Sequence, residues 1–158
     1  MTTKYKSKKT IVNNKEFDSV AESEYYKLLL RDEKRGKITE IELQPVFELQ
    51  SSYKMSGKTI KAITYKADFK YFDIEKQKYI VVDVKGMATE VANIKRKMFN
   101  YIYGSEYELI WIVKNKKWGN ADGWCEYDLL KKLRAKAKRQ NKIKWKRGKI
   151  WKIMLKMR

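Results

Sequence analysis

Apolar and polar positions along the chain change period in a regular order. Residues 1–15 are polar and lysine-rich (Lys4, Lys6, Lys8, Lys9, Lys15) and read as an extended arm or a weak edge strand. Ser19 then precedes Ala21, Tyr25, Leu28 and Leu29 at helical spacing. Ser19 with Glu22 forms a capping-box pattern, so a helix is predicted to end near Arg35-Gly36. Over residues 38–50 the period drops to two, which predicts a strand with one wet face, and Pro45 marks an edge or bulge. Residues 51–58 read as a turn, 59–72 as a second strand, 73–78 as a polar connection and 79–86 as a third strand, together an antiparallel meander. Residues 89–103 are again helical, with Val91, Ile94, Met98, Tyr101 and Ile102 on one face and Lys95, Arg96 and Lys97 elsewhere. Residues 107–113 are almost continuously apolar. Strand, helix, strand in this order implies a right-handed crossover that lays this last strand parallel to residues 79–86.

The expected fold is thus α/β: helix, three strands, helix, strand, with a mixed sheet flanked by helices. It divides into an arm (1–15), a core (16–114) and an extension (115–158). In the extension, residues 115–128 with Trp118, Gly119, Gly123 and Trp124 read as a loop, and Leu129, Leu130 and Leu133 as the start of a helix. From Asn141 two readings stay open: alternation about Arg147-Gly148 suits a hairpin, whereas Ile150, Met154 and Met157 suit a helical stripe.

Composition narrows the chemistry. The 158 residues contain no histidine, which excludes Ser-His and Cys-His nucleophilic pairs, histidine-ligated metals and a histidine general base. Cys125 is the single cysteine, so an intramolecular disulfide is excluded and a reducing compartment is expected. No apolar run reaches the roughly 18–20 residues of a membrane span, so a cytoplasmic protein with no membrane partner is expected. The net charge of +19 suits a polyanionic partner. It is concentrated in the extension, where fourteen Lys and Arg and no acid follow Asp128. There Lys142, Lys144, Lys146, Arg147 and Lys149 interleave with Trp145 and Trp151, which offer stacking faces to a nucleic acid beside charges that release counterions. Packing of these tryptophans on the core or on a second subunit is the alternative. Lys95 and Lys97 are further candidates for phosphate contact, against a merely solvated helix face.

The strand at residues 79–86 ends in a way that does not suit a core. Asp83 and Lys85 share one face about 7 Å apart, as an ion pair at a sheet edge or as a carboxylate and an ammonium that hold a metal against a phosphate. Asp68 sits among aromatics on the neighbouring strand, where pairing with Lys66 or Lys70 is the structural alternative. Glu22 either only caps its helix or also brings a third carboxylate, and Gln44 either lines the site or is a polar strand residue. Two carboxylates, a backbone carbonyl and a phosphate oxygen suit Mg²⁺, which prefers oxygen ligands and retains waters.

Glu22 on the first helix, Asp68 on the second strand and Asp83-Val84-Lys85 on the third resemble the restriction-endonuclease-like PD-(D/E)xK superfamily. Phe17-Asp18-Ser19 with Glu22, Leu43-Gln44-Pro45, residues 62–69 and Val82-Asp83-Val84-Lys85-Gly86 are similar to small phage-encoded endonucleases of the Holliday-junction-resolvase type, over roughly residues 4–114. The superfamily's proline is replaced here by Ala67. The resemblance implies a restriction-endonuclease-like core with a basic extension, and Asp68, Asp83 and the Val84 carbonyl as metal ligands. It makes Lys85 the catalytic lysine and Glu22 a further acidic ligand or a positioner of metal-bound water. It also implies Mg²⁺, with Mn²⁺ able to substitute and no small-molecule cofactor, as well as branched DNA as substrate and phage DNA metabolism in a bacterial host cytoplasm. A two-stranded cut implies a homodimer. The alternatives are a sequence-specific or nicking endonuclease of the same fold, and a non-catalytic nucleic-acid-binding protein.

Overall fold

The computed structural model describes residues 9–12 and 14–156, with side chains through Trp145. It is mixed α/β and separates into two compact units, one ending at Ile112 and the other beginning at Val113. In chain order the first contains β1 (Thr10–Val12), β2 (Lys15–Phe17), α1 (Val20–Lys34), β3 (Ile38–Leu43), β4 (Val46–Gln50), β5 (Tyr53–Met55), β6 (Lys58–Ile60), β7 (Ile63–Lys66), β8 (Phe69–Asp73), β9 (Lys78–Val84), α2 (Glu90–Tyr103) and all but the last two residues of β10 (Tyr107–Lys114). The second contains β11 (Trp124–Glu126) and α3 (Tyr127–Lys156).

The central sheet of the first unit runs β10-β9-β8-β3. Strands β3, β8 and β9 are antiparallel neighbours, whereas β9 and β10 are parallel with Asp83 opposite Trp111. Helix α2 supplies the crossover between the parallel pair. Ile80, Val81, Val82 and Phe69 are fully buried, as expected for apolar strands covered on both faces.

Helix α1 starts as its sequence dictates: Ser19 has extended backbone and its Oγ accepts from the Glu22 N–H at 3.1 Å, a cap worth about 1 kcal/mol. Its buried residues are Ser23, Tyr26 and Leu29, so the sheet-facing side is rotated from the expected stripe. Tyr26 lies parallel to Phe69 with centroids 6.2 Å apart, and Phe17 closes on Tyr26 at 5.1 Å.

The expected apolar stripe of α2 is overturned. Val91, Ile94, Tyr101 and Ile102 are exposed, and the buried residue is Phe99. Phe99 and Tyr103, one turn apart, form a second stripe that packs on Phe47, Tyr65 and Tyr107. Aromatic area decided which of two apolar faces turned inward.

The strand expected over residues 38–50 is two strands. Gln44 adopts a left-handed backbone (φ 53°) and Pro45 follows, so the chain leaves the main sheet and β4 pairs with β7 instead. Residues 59–72 likewise divide into β6, β7 and β8, and 51–58 is not a simple turn but most of the hairpin β5-β6. At the other end, β1 and β2 pair as a hairpin, so over the described residues the strand reading of the N-terminal stretch holds, while residues 1–8 and 13 lie outside the described residues.

In the second unit, the Asn115 side chain accepts from the Lys117 and Trp118 amides and Asn120 from those of Asp122 and Trp124. These turns deliver β11 inside a stretch expected to be loop throughout. Helix α3 continues without a break past Asn141, so the helical reading holds there and the hairpin does not. Among the described residues no helix is long and apolar enough to cross a membrane.

Candidate functional site

Four elements bring Glu22, Asp68, Asp83 and Lys85 together. Asp83 is the next-to-last residue of β9 and is only 4% exposed, so its charge must be met locally. The Tyr65 hydroxyl donates to Asp83 Oδ2 at 2.5 Å, and Lys85 Nζ approaches the same oxygen at 2.6 Å. Tyr65 in turn accepts from Trp111 Nε1–H at 2.7 Å. Lys85 Nζ and the Arg96 guanidinium both lie over the Trp111 ring, at 5.4 and 4.5 Å from its centroid. Burial, then the neighbouring Asp83 charge, pushes the Tyr65 hydroxyl well above the usual phenol range and keeps it a donor.

Asp68 lies between β7 and β8, in the step where the chain returns to the main sheet. Its carbonyl accepts from Gln44 N–H at 2.9 Å, its amide donates to the Val82 carbonyl at 3.1 Å, and its Oδ2 accepts from the Val84 amide at 2.6 Å. Lys70, the structural alternative as its partner, is paired with Glu42 instead. Burial first and the Asp83 carboxylate second push the Asp68 carboxyl up to about 8, with the Glu22 charge adding to the effect. Two neighbouring acids, one of them driven toward the neutral form by burial and by the charge of the other, form an arrangement that a cation would relieve.

Glu22 completes the capping box: Oε1 accepts from Ser19 Oγ at 2.7 Å and Oε2 from the Asp18 amide at 3.2 Å. It also lines, with Gln44, Asp68, Glu16, Phe17, Leu43 and Phe69, a cleft of about 120 Å³. Burial pushes its carboxyl up, against the Ser19 and Asp18 hydrogen bonds that lower it, and the Asp83 charge contributes. Capping and proximity to the site therefore coexist. Among the described residues no group of three or more His, Cys, Asp and Glu side chains is arranged to hold an ion. The donor set that fits a cation is the Asp68–Asp83 pair, and Mg²⁺ is commonly held by one or two carboxylates with waters and substrate oxygens completing its shell.

The chain matches, over residues 2–120, a family model described as a protein of unknown function (DUF1064). The chain belongs to DUF1064. The DUF1064 match spans Glu22, Asp68, Asp83 and Lys85 and stops before α3. No match was found among the curated proteins or the solved structures.

The other residues singled out by sequence are placed apart. Lys95 is half-buried and Lys97 exposed on α2, and Lys142, Lys144 and Trp145 are exposed on α3 in the second unit. The side chains of Lys146, Arg147, Lys149 and Trp151 lie outside the described residues. Of Val84 the structure adds a role for its amide rather than its carbonyl. Tyr65, Trp111 and Arg96 escaped sequence reasoning. The signal available for Trp111 was a tryptophan in a parallel strand two residues before the expected end, in register with an acid.

Proposed function

We propose that this protein is a Mg²⁺-dependent DNA endonuclease of the restriction-endonuclease-like class that hydrolyses phosphodiester bonds. The observation that carries this is that the Val84 amide holds the Asp68 carboxylate beside the buried Asp83, whose Oδ2 meets Lys85, in a chain with no histidine. The order α1, β3, β8, β9, α2, β10 supports the fold assignment. Asp68 and Asp83, with the Val84 carbonyl, would hold the ion. When bound, Mg²⁺ or Mn²⁺ supplies charge neutralisation at phosphorus and a more acidic water.

The chain's own residues then act as follows. Tyr65 and the Val84 amide fix the two carboxylates, so that ligand geometry is set before substrate arrives. Lys85 orients the attacking water and faces the negative charge that develops on the phosphoryl oxygens. The water oxygen bonds to phosphorus and gives up a proton to solvent, the bond from phosphorus to the leaving sugar oxygen breaks, and the leaving oxygen takes up a proton from solvent. Glu22 positions water at the cleft wall. Branched DNA is the preferred substrate, cut on two strands by two copies of the chain.

Purified protein is incubated with a four-way junction, nicked duplex and linear duplex, in Mg²⁺ or in chelator, beside Asp83→Ala and Lys85→Ala. Metal-dependent cutting lost in both variants is the expected result. Binding without cutting under every condition would overturn the enzyme reading, and equal cutting of linear duplex and junction would remove only the preference for branches.

A further inference from the structure

Strands β4 and β7, and beyond them β5 and β6, form a two-stranded ribbon that leaves the main sheet at Gln44 and returns at Asp68. Its base is anchored: Phe47 and Tyr65 pack on Phe99 at 4.8 and 5.4 Å, and the Tyr103 hydroxyl donates to the Glu48 carbonyl at 2.7 Å. Its outer half is bare. Residues 51–59 are all exposed, including Tyr53 (46%) and Met55 (59%).

The tip is nonetheless built to hold a shape. Met55 pairs with Lys58 across Ser56-Gly57, and both turn residues are left-handed (φ 49° and 74°), as in the two-residue turns that match strand twist. Pairing places Tyr53, Met55, Lys58 and Ile60 on one face and Lys54 with Thr59 on the other. Residues 51–66 carry Lys54, Lys58, Lys61 and Lys66 and no acid. A defined ribbon with exposed apolar surface and unopposed positive charge is not explained by the core.

We infer that this ribbon is a duplex-DNA contact, entering the major groove with its lysines on the flanking phosphates. B-form DNA has a major groove about 12 Å wide that admits a two-stranded β-ribbon, whereas the deep, narrow groove of duplex RNA does not. The charge sign selects the polyanion. From Asp68 to Gly57 an extended chain reaches at most about 36 Å, which is about one helical turn of duplex. The ribbon therefore contacts DNA within about ten base pairs of the carboxylate pair. The inference rests on the nuclease reading only for the choice of DNA as partner.

The test is fluorescence anisotropy of a labelled duplex of about 20 base pairs, two helical turns, in chelator and over a salt series. It uses the full chain, the triple variant Lys54→Ala/Lys58→Ala/Lys61→Ala and the pair Tyr53→Ala/Met55→Ala. All five positions are exposed, so unchanged thermal melts are expected for both variants. The triple variant should bind more weakly, with the slope of log K against log salt smaller in magnitude by about 2–3, close to one phosphate per lysine. The Tyr53/Met55 variant should lose affinity with its salt slope unchanged. Unchanged affinity and slope in the triple variant would overturn the proposal. So would equal losses on duplex RNA of the same sequence, or losses seen on phosphatidylserine-containing vesicles instead of DNA. Asp83→Asn serves as the control. Binding kept while cutting is lost is expected; no cutting by the full chain in Mg²⁺ would remove the nuclease reading while leaving the ribbon result standing, and cutting kept by Asp83→Asn would remove only Asp83 from the site.

Discussion

Tyr65 and Lys85 meet the Asp83 carboxylate on the same oxygen, Oδ2, from two sides. Tyr65 is also the acceptor for the buried Trp111 indole, so one hydroxyl satisfies two groups. Tyr65→Phe therefore removes one hydrogen bond from each, and a lost buried hydrogen bond costs about 0.5–1.5 kcal/mol, more where one partner is charged. A clear drop in denaturation midpoint is expected, with Mn²⁺ affinity by calorimetry reduced by about 10-fold or more, as for other outer partners of metal ligands. Loss of stability with unchanged Mn²⁺ affinity would show that Tyr65 is structural only.

Asp68 supplies a pH signature. Its carboxyl titrates at about 8 in the folded protein, above the ordinary value near 4, so the folded state holds the proton more tightly than the unfolded one. Its contribution to stability is fully present below about pH 4 and is lost as pH rises toward about 8. The chain has no histidine to add a slope of its own in that window. Urea midpoints in chelator should fall from about pH 5 to about pH 8, and saturating Mg²⁺ should flatten the dependence, since the ion favours the ionised acid.

The same contact predicts a trade between stability and activity. Asp68→Asn sits beside Asp83 without the proton uptake that Asp68 needs at neutral pH, and its amide oxygen can still accept from Val84 N–H. In chelator at neutral pH the variant should melt above the wild type. Mg²⁺ should raise the wild-type melting point and leave the variant nearly unmoved, and cleavage should disappear.

Capping and site roles separate at Glu22. Ser19→Ala removes the cap and should cost about 1 kcal/mol in equilibrium unfolding. Glu22→Gln retains a capping-box side chain and should hold most of that stability. A fall in kcat for Glu22→Gln at unchanged melting temperature would place its carboxylate in the chemistry, and unchanged kcat would confine it to the cap.

Phe99 tests the packing of the crossover helix. It is fully buried and touches Phe47, Tyr65, Tyr103 and Tyr107, so Phe99→Ala should cost about 3–5 kcal/mol. Ile94→Ala, on the exposed face, should stay within about 0.5 kcal/mol.

The parts legible in sequence were those governed by local rules. Ser19 with Glu22 announced the start of α1, and the apolar run before Asp83 announced a central strand in parallel register with β10. The juxtaposition of Asp68 and Asp83 followed once their strands were taken as neighbours. What escaped depended on competition between distant groups. Period two ran through Gln44, whose left-handed backbone redirects the chain, because alternation of side chains carries no record of a single positive φ. The inward face of α2 was misjudged because two apolar stripes share that helix, and only the aromatic cluster on β4, β7 and β10 selects between them. Tyr65 reads as an ordinary strand aromatic until the fold sets its hydroxyl against Asp83.

Strand β3 closes its side of the central sheet. Its register with β8 breaks between Thr39 and Glu42, Glu40 there is left-handed (φ 57°), and Glu40 and Glu42 hydrogen-bond or ion-pair with Tyr79 and Lys70. A strand from another molecule seeking to extend the sheet would meet a kinked backbone with no continuous row of donors and acceptors. Two copies of this chain therefore cannot join simply by continuing β3. Open-ended stacking through this edge is thereby blocked.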